Sequence, residues 1–367
     1  MTLRFDVCVR GDGIVGRSLA LLLARERLRV ALYSPPSLAP ARPDVRAYAL
    51  NQASQALLQQ QLRVWPEPGQ ATPVAAMRVW GDDGGHLAFA PPAGAAELAW
   101  IVDVPALQER LAQALQFAPE VQHIDHLDGV QAALTVVCEG RHSQSRQEFG
   151  VDWTVKPYAQ TAIAARLHSS QPHQGVARQW FQGGDILALL PMGGPEGSEL
   201  ALVWSVGTER AHALQALPPL AFAEALQAAA GPEVGRLSLS SDTQAWPLSL
   251  NQASRWVGPG WALAGDAAHT VHPLAGQGLN LGLADARCLA QVLREREYWR
   301  QPGDMKLLRR YERARKAEVL AMGLLTDGLQ GLFSQGDARW QALRNWGMNT
   351  VGHSRALTTW LTRQAMG

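Results

Sequence analysis

Cysteine, lysine and unbroken apolar sequence are all scarce in this chain. The three cysteines, Cys8, Cys138 and Cys288, stand far apart in apolar surroundings and form no CxxC pair. That spacing argues against a disulfide framework and against a zinc site, so no metal is expected, and it fits a reducing compartment. Lys156, Lys306 and Lys316 are the only lysines. Positive charge is therefore carried almost wholly by arginine, the side chain suited to bidentate phosphate or carboxylate contacts. Net charge is lacking as well: the formal value is +1, which argues against nucleic acid as the main partner. No apolar window reaches the length that spans a bilayer, and MTLRFDVCVRGDG enters a strand with no apolar signal core. A cytoplasmic protein, at most peripheral to the inner membrane, is the expectation. Internal repeats are absent, and the one biased segment is the proline-rich SPPSLAPARP at 34–43.

What the chain does have is apolar content for a core. With 367 residues, 47% hydrophobic and 18% charged, it can fill one large or two interleaved domains. A β-branched run at 5–9 leads into Gly11-Asp12-Gly13-Ile14-Val15-Gly16 and the apolar stretch 19–24, and 29–33 supplies a second run. Strand, glycine turn, helix and strand in that order open a βαβ unit. From Ala76 the pattern changes. RVW and LAFA flank a glycine-rich turn at 81–85, and 186–192 and 199–206 flank another at 193–198, giving two hairpins. Between them, 104–117 and 134–138 read as returns to the first unit. The expected fold class is α/β: a discontinuous Rossmann-like domain over 1–75, 98–155 and 251–304, an inserted β-sheet domain over 76–97 and 156–250, and a C-terminal helical region over 305–367.

A GxGxxG turn between strand and helix aims backbone N–H groups and a positive helix end at a pyrophosphate, which makes Gly11, Gly13 and Gly16 candidate dinucleotide contacts. Turns of this spacing also occur without a ligand, and the βαβ context is what favours binding. Three neighbours modify the pattern. Where a carboxylate would grip both ribose hydroxyls, the second strand ends in Tyr33 and Ser34. Asp12 adds negative charge inside the loop, and Arg10 is expected to offset it. The longest motif is WALAGDAAHTVHPLAGQGLNLGLADA at 261–286. Asp266, at a strand's end, can accept hydrogen bonds from polyol hydroxyls. Gly276 and Gly278 let backbone approach a flat ring, and the helix that follows aims its positive end at an anionic ring edge.

This segment resembles the second flavin motif of class A flavoprotein monooxygenases, and it is similar in wording to the ubiquinone-biosynthesis hydroxylase branch. DVRAYALNQAS at 44–54, VDVPALQERLAQAL at 102–115, CEGRHSQSR at 138–146, LALLPM at 187–192 and RNWGMNTVGHSRALTTWLTRQAMG at 344–367 agree in order. The resemblance implies an FAD-binding domain of the Rossmann-like type with the inserted sheet as substrate domain. It implies FAD as cofactor, NAD(P)H as electron donor, and hydroxylation of an electron-rich, polyprenylated phenol by O2 through reduced flavin and a C4a-hydroperoxide. Gly11, Gly13, Gly16 and Ser34 would face the adenosine diphosphate, Arg46 would lie near the flavin, and Asp266 would hold the ribityl–pyrophosphate region. Pro273, Gly276, Gln277 and Gly278, followed by Leu279 and Asn280, would border the isoalloxazine. Glu139-Gly140 stands where the family has an Asp-Gly pair tied to FAD and to the nicotinamide donor, with Ser143 and Arg146 in register. The interval between Leu115 and Leu134 is short against the family, which implies a lost hairpin and a more open adenine side.

Other residues admit two readings. His269 and His272 could supply a base for a phenol or could orient their loop, and orientation is favoured. Cys138 and Cys288 read as core residues. Trp204 fits either the substrate face or the core. Met322, Leu325, Leu329, Leu332 and Phe333 recur at helical spacing after Arg309, Arg310, Arg313, Arg315 and Lys316, with Trp340, Trp346 and Trp360 beyond. That stripe packs on the flavin domain or meets a membrane surface. Two rival functions stay open: hydroxylation of a small soluble aromatic, and service as a weak-flavin accessory subunit of a quinone-biosynthesis complex. With Asp12 and Ser34 in place, FAD is expected to bind loosely.

Overall fold

The computed structural model describes residues 3–36, 43–81, 85–91, 94–271 and 277–334, with side chains as far as 321. β1 (Leu3–Arg10), α1 (Ile14–Arg25) and β2 (Val30–Tyr33) open the chain as a βαβ unit. Next come β3 (Ala47–Leu50), α2 (Gln52–Ala56) with a π-helical turn, β4 (Ala71–Val74), β5 (Ala76–Trp80), β6 (His86–Phe89), β7 (Ala99–Asp103) and α3 (Val104–Gln116). β8 (Val121–Ile124) and β9 (Val130–Val137) return to the first unit, and α4 (Gln144–Glu148) follows. Then come β10 (Trp153–Ser169), β11 (Val176–Gln182), β12 (Asp185–Pro191), β13 (Glu199–Gly207), α5 (Thr208–Gln215), α6 (Pro219–Ala230), β14 (Leu237–Leu239) and β15 (Gln244–Ala253). β16 (Val257–Gly258), β17 (Trp261–Leu263), β18 (His269–Thr270), α7 (Gln277–Arg294) and α8 (Met305–Ser334) complete the described chain.

Three sheets result. The first runs β16-β17-β9-β1-β2-β8 and is parallel except for its edge pair β16 and β17. The buried positions of its strands are apolar because helices cover the sheet: α1, α3 and α7 pack into one core with β1, β2, β9 and β17. The second, nine-stranded sheet is mainly antiparallel, with β5 and β11 its one parallel pair among those described. The third, β3-β7-β4, is a small antiparallel sheet between the other two.

Alternation along β13 decides which face of the large sheet is which. Leu200, Leu202, Trp204 and Val206 share a core with Ala211, Leu214, Phe222 and Leu226 of α5 and α6. Ala201, one residue out of phase, instead packs with Ile101 and Val74 of the small sheet. Trp204 is thus an outer-core tryptophan, set edge-on to Phe222 at 6.0 Å, and its substrate-facing reading is corrected. The expected joints at 155/156 and 250/251 fall inside β10 and β15, which pair from Trp153 opposite Ala253 to Ala164 opposite Gln244. Two long strands with a register shift between Pro157 and Thr161, rather than a linker, join the layers. The short interval between α3 and β9, 117–129, holds only β8 and turns, and β8 forms the sheet edge beside β2. No described helix is long and apolar enough to cross a membrane.

Candidate functional site

Four neighbouring parallel strands, β17, β9, β1 and β2, end on the same edge of the first sheet. They deliver the turn at 265–266, then Glu139-Gly140, then Gly11 to Gly16, then Ser34, so the sequence candidates meet in one crevice at the carboxyl ends of the strands. The glycines are there for space. Gly11 has φ of 106°, and a Cβ on it would stand 2.5 Å from the Cys138 carbonyl oxygen. One on Gly16 would collide with the Gly11 carbonyl. Gly13, in contrast, has nothing within 4 Å of the Cβ position. The loop is therefore pressed onto β9 and α1 while its outer side stands open. Gly13 caps α1 with no side-chain hydrogen bond, which leaves first-turn N–H groups for an anion.

Charge in this loop is arranged differently from the expectation. Arg10 turns to α4, where Nη1 donates to Ser145 Oγ (2.9 Å) and to Glu148 Oε2 (3.0 Å). Asp12 is paired by Arg17, whose Nη2 lies 3.2 Å from Asp12 Oδ2 while its Nη1 donates to the Gln108 carbonyl at 2.9 Å. The reason is direction: Arg10 is a strand residue facing α4, whereas Arg17 rises from the helix that the loop opens. Ser34 extends the ladder to the edge strand through its amide, which donates to the Ile124 carbonyl at 3.1 Å.

The turn bearing Asp266 begins at Gly265, whose φ of +61° is open to glycine at little cost. Val15 of α1 packs on it, and a Cβ on Gly282 of α7 would stand 2.7 Å from Val15. Two helices and the turn thus converge on small contacts. Asp266 is solvent-exposed, yet protein surrounds it closely enough that desolvation raises its carboxyl, against the pull of His269, Arg141 and Arg46. An accessible group hemmed in on most sides lines a recess. Arg46 stands at that recess, forked onto Asp44 at 2.6–3.1 Å, and its carbonyl accepts from Arg166 Nη2 at 2.8 Å. Although burial pushes Asp44 up, the Arg46 guanidinium holds its carboxyl below the usual range.

Glu139 keeps its carboxylate for its own turn. It accepts from Ser143 Oγ at 2.7 Å, Ser145 N at 3.1 Å and Ser145 Oγ at 2.6 Å. Ser143 in turn caps α4, and the buried Arg146 reaches across to the Ala267 carbonyl at 3.1 Å, with its guanidinium 3.7 Å over the Trp153 ring. Asn280 is also a tie: Nδ2 donates to the Ala49 carbonyl at 2.9 Å, and Oδ1 accepts from Asn51 N at 3.1 Å. Gln277 and Leu279 are buried beside it, while Gly278 faces open space. His272, Pro273 and Gly276 lie outside the described residues. His269 is buried against Trp256 with Nε2 on Asp285, which fits orientation of the loop. Burial raises the thiols of Cys8, Cys138 and Cys288.

Reasoning from sequence missed Arg17, Arg141, Asp285 and Arg315. Asp285 was inside the quoted motif and could have been weighed as a buried acid at the helical spacing of Leu281 and Cys288. Arg315 carried no signal, since it sits in a run of basic residues that reads as surface.

Comparison with known proteins agrees with this geometry. Residues 114–323 match the FAD binding domain family. The chain is similar to "Ubiquinone hydroxylase UbiL" of Rhodospirillum rubrum, at 32% identity over 99% of this chain and 89% of that protein. It is similar also to "3-demethoxyubiquinol 3-hydroxylase" of Escherichia coli, at 29% identity over 99% of this chain and 98% of that one. Among solved structures, p-nitrophenol 4-monooxygenase PnpA of Pseudomonas putida superposes with a TM-score of 0.78 at 16% identity, covering 100% of this chain and 99% of the other.

Proposed function

The chain belongs to the family of FAD-dependent hydroxylases that includes the ubiquinone type, and from that premise we propose that it hydroxylates an electron-rich, polyprenylated phenol on the way to ubiquinone. The observation that carries the reading is the convergence of the open Gly13 loop and the recessed Asp266 carboxylate at the ends of β1 and β17, the two parallel strands that flank β9. The residues present fit FAD: bare N–H groups at the α1 terminus suit the pyrophosphate, and Asp266 suits the polyol. Bound FAD supplies acceptance of hydride from NAD(P)H and activation of O2. This chain's part is to bind, orient and keep water out. On the large sheet, the face opposite Trp204 carries Ala162, Ala164, Ala188, Val203 and Ser205, and these small residues form the wall for the phenol ring. Gly11, Gly16, Arg46, Gly140 and Gly278 would frame the cofactor, and the Glu139 carboxylate acts by holding the 139–146 turn.

The decisive test is FAD titration of the apoprotein and of Asp266→Ala, followed by oxygen incorporation from labelled O2 into prenylated and unprenylated phenols. Saturable FAD binding by the intact chain, its loss in the variant with unchanged far-UV circular dichroism, and dependence on prenyl length are expected. Full flavin occupancy in Asp266→Ala overturns the site assignment, and equal rates for unprenylated phenols overturn the substrate.

A substrate of that kind resides in lipid, and one surface suits a bilayer. Tyr298 and Trp299, between α7 and α8, are 93% and 64% exposed and stacked edge-on at 4.8 Å. Glu297 beside them pairs with Arg310 of α8, and Lys306, Arg309 and Arg313 are exposed on that helix. Amphipathic rings beside arginines match the headgroup level of an anionic membrane. Arg315 does not belong to this surface, because it is buried.

A further inference from the structure

The turn that presents Asp266 is clamped by a buried charge cluster on which the chemistry makes no call. Asp285 of α7 is fully buried, and its Oδ2 accepts from Gly265 N at 2.8 Å and from His269 Nε2 at 2.7 Å. One carboxylate oxygen therefore ties the first residue of the turn to the residue just past its end. The other oxygen, Oδ1, accepts from Arg315 Nε at 2.7 Å. Arg315 is itself 2% exposed, donates through Nη2 to the Leu281 carbonyl at 3.3 Å, and pairs with Glu318. An arginine from α8 thus fixes the carboxylate that fixes the Asp266 turn, and Arg146 holds the same turn from the opposite side through Ala267.

We infer that Arg315 is a positioning residue for the flavin: by completing the Asp285–His269 clamp it sets the Asp266 turn, so that the packing of the C-terminal helix governs cofactor affinity. Two physical facts carry this. A buried carboxylate deprived of the one partner on an oxygen, as Asp285 Oδ1 would be without Arg315, cannot keep its orientation, because the freed oxygen is left without a partner in low dielectric. A ligand-holding group displaced by a fraction of an ångström loses the contact it was built to make. The inference rests on the reading of Asp266 as a flavin contact.

The test is FAD affinity measured by flavin fluorescence quenching, alongside Tm, for intact protein, Asp266→Ala, Arg315→Met, Arg315→Lys and Tyr311→Phe. Tyr311 is the control, since it is equally buried on α8 and its hydroxyl donates to the Leu263 carbonyl at 2.8 Å, outside the clamp. Arg315→Met should weaken FAD by roughly tenfold or more, by analogy with the loss when a group supporting a metal ligand is removed. Arg315→Lys should restore part of that loss, and Tyr311→Phe should lower Tm with FAD affinity unchanged. If Arg315→Met does not fold, Arg315→Lys carries the comparison, since it keeps the charge but not the fork and should still bind FAD more weakly than intact protein. FAD affinity that follows Tm alike in the Arg315 and Tyr311 variants overturns the inference. Unaltered affinity in Asp266→Ala overturns the underlying site instead, so the two failures are distinct.

Discussion

A carboxyl held above its ordinary range is a cost that Asp266 bears at the site. Desolvation by the surrounding recess is the first cause, and Arg141, Arg46 and His269 offset it only in part. Asp266 binds a proton more readily folded than unfolded, so stability falls as pH rises from the usual carboxylate value of about 3.9 through the raised one, and the penalty is full above it. Asp266→Asn should accordingly raise the Tm of FAD-free protein at neutral pH, with the gain vanishing in acid below the unfolded value. A gain independent of pH across a thermal-shift series would contradict this origin. Charge inside the glycine loop gives a second prediction. Since Arg17 already pairs Asp12, Asp12→Gly should leave FAD affinity nearly unchanged, whereas Ser34→Glu should tighten it about tenfold, the order of one net charge-assisted hydrogen bond. Titration of both apoproteins decides between them, and a large effect of Asp12→Gly would show the Arg17 pair to be ineffective. Sequence revealed that Asp12 needed a partner but not which arginine, because the choice depends on the direction in which strand and helix project their side chains.

At the level of elements, pattern was most informative where period and punctuation coincide. The βαβ opening, both hairpins and the strand before Gly265 all formed where apolar runs end in glycine turns. The joints between layers were not legible, since β10 and β15 run through them as continuous strands and carry no linker composition. Helix α8 shows a related limit. Its spacing marks a helix, but Arg309, Arg310, Arg313, Arg315 and Lys316 read as one basic face, while the structure turns Arg315 inward and pairs Arg310 with Glu297 and Lys316 with Glu312. The remaining outward charges and the Tyr298–Trp299 pair define the lipid prediction. Sedimentation with anionic vesicles should be strong, reduced by salt, and lost in Tyr298→Ser with Trp299→Ser. The stripe from Met322 to Phe333 lies where side chains are outside the described residues. Equal sedimentation of intact and doubly substituted protein would remove this corner as the contact.

On the scale of the whole molecule, the flavin crevice, the large sheet and the C-terminal helix form one device. Parallel strand ends bring the proposed cofactor residues together, β15 of the second sheet pairs with β18 just past the Asp266 turn, and Arg315 ties α8 to that turn through Asp285. The family and the cofactor were readable in the motif at 261–286, whereas the support behind it was not, because Asp285, His269 and Arg315 are brought together only by packing. In a cell, the proposed role of the device is hydroxylation of a prenylated phenol. Its most direct measurement is a mass-spectrometric profile of quinone intermediates from cells lacking this protein, complemented with the intact chain or with Asp266→Ala. A prenylated phenol one oxygen atom lighter than its successor should accumulate without the protein, disappear with the intact chain and persist with Asp266→Ala. An unchanged profile on loss of the protein, or full rescue by Asp266→Ala, would contradict the claim.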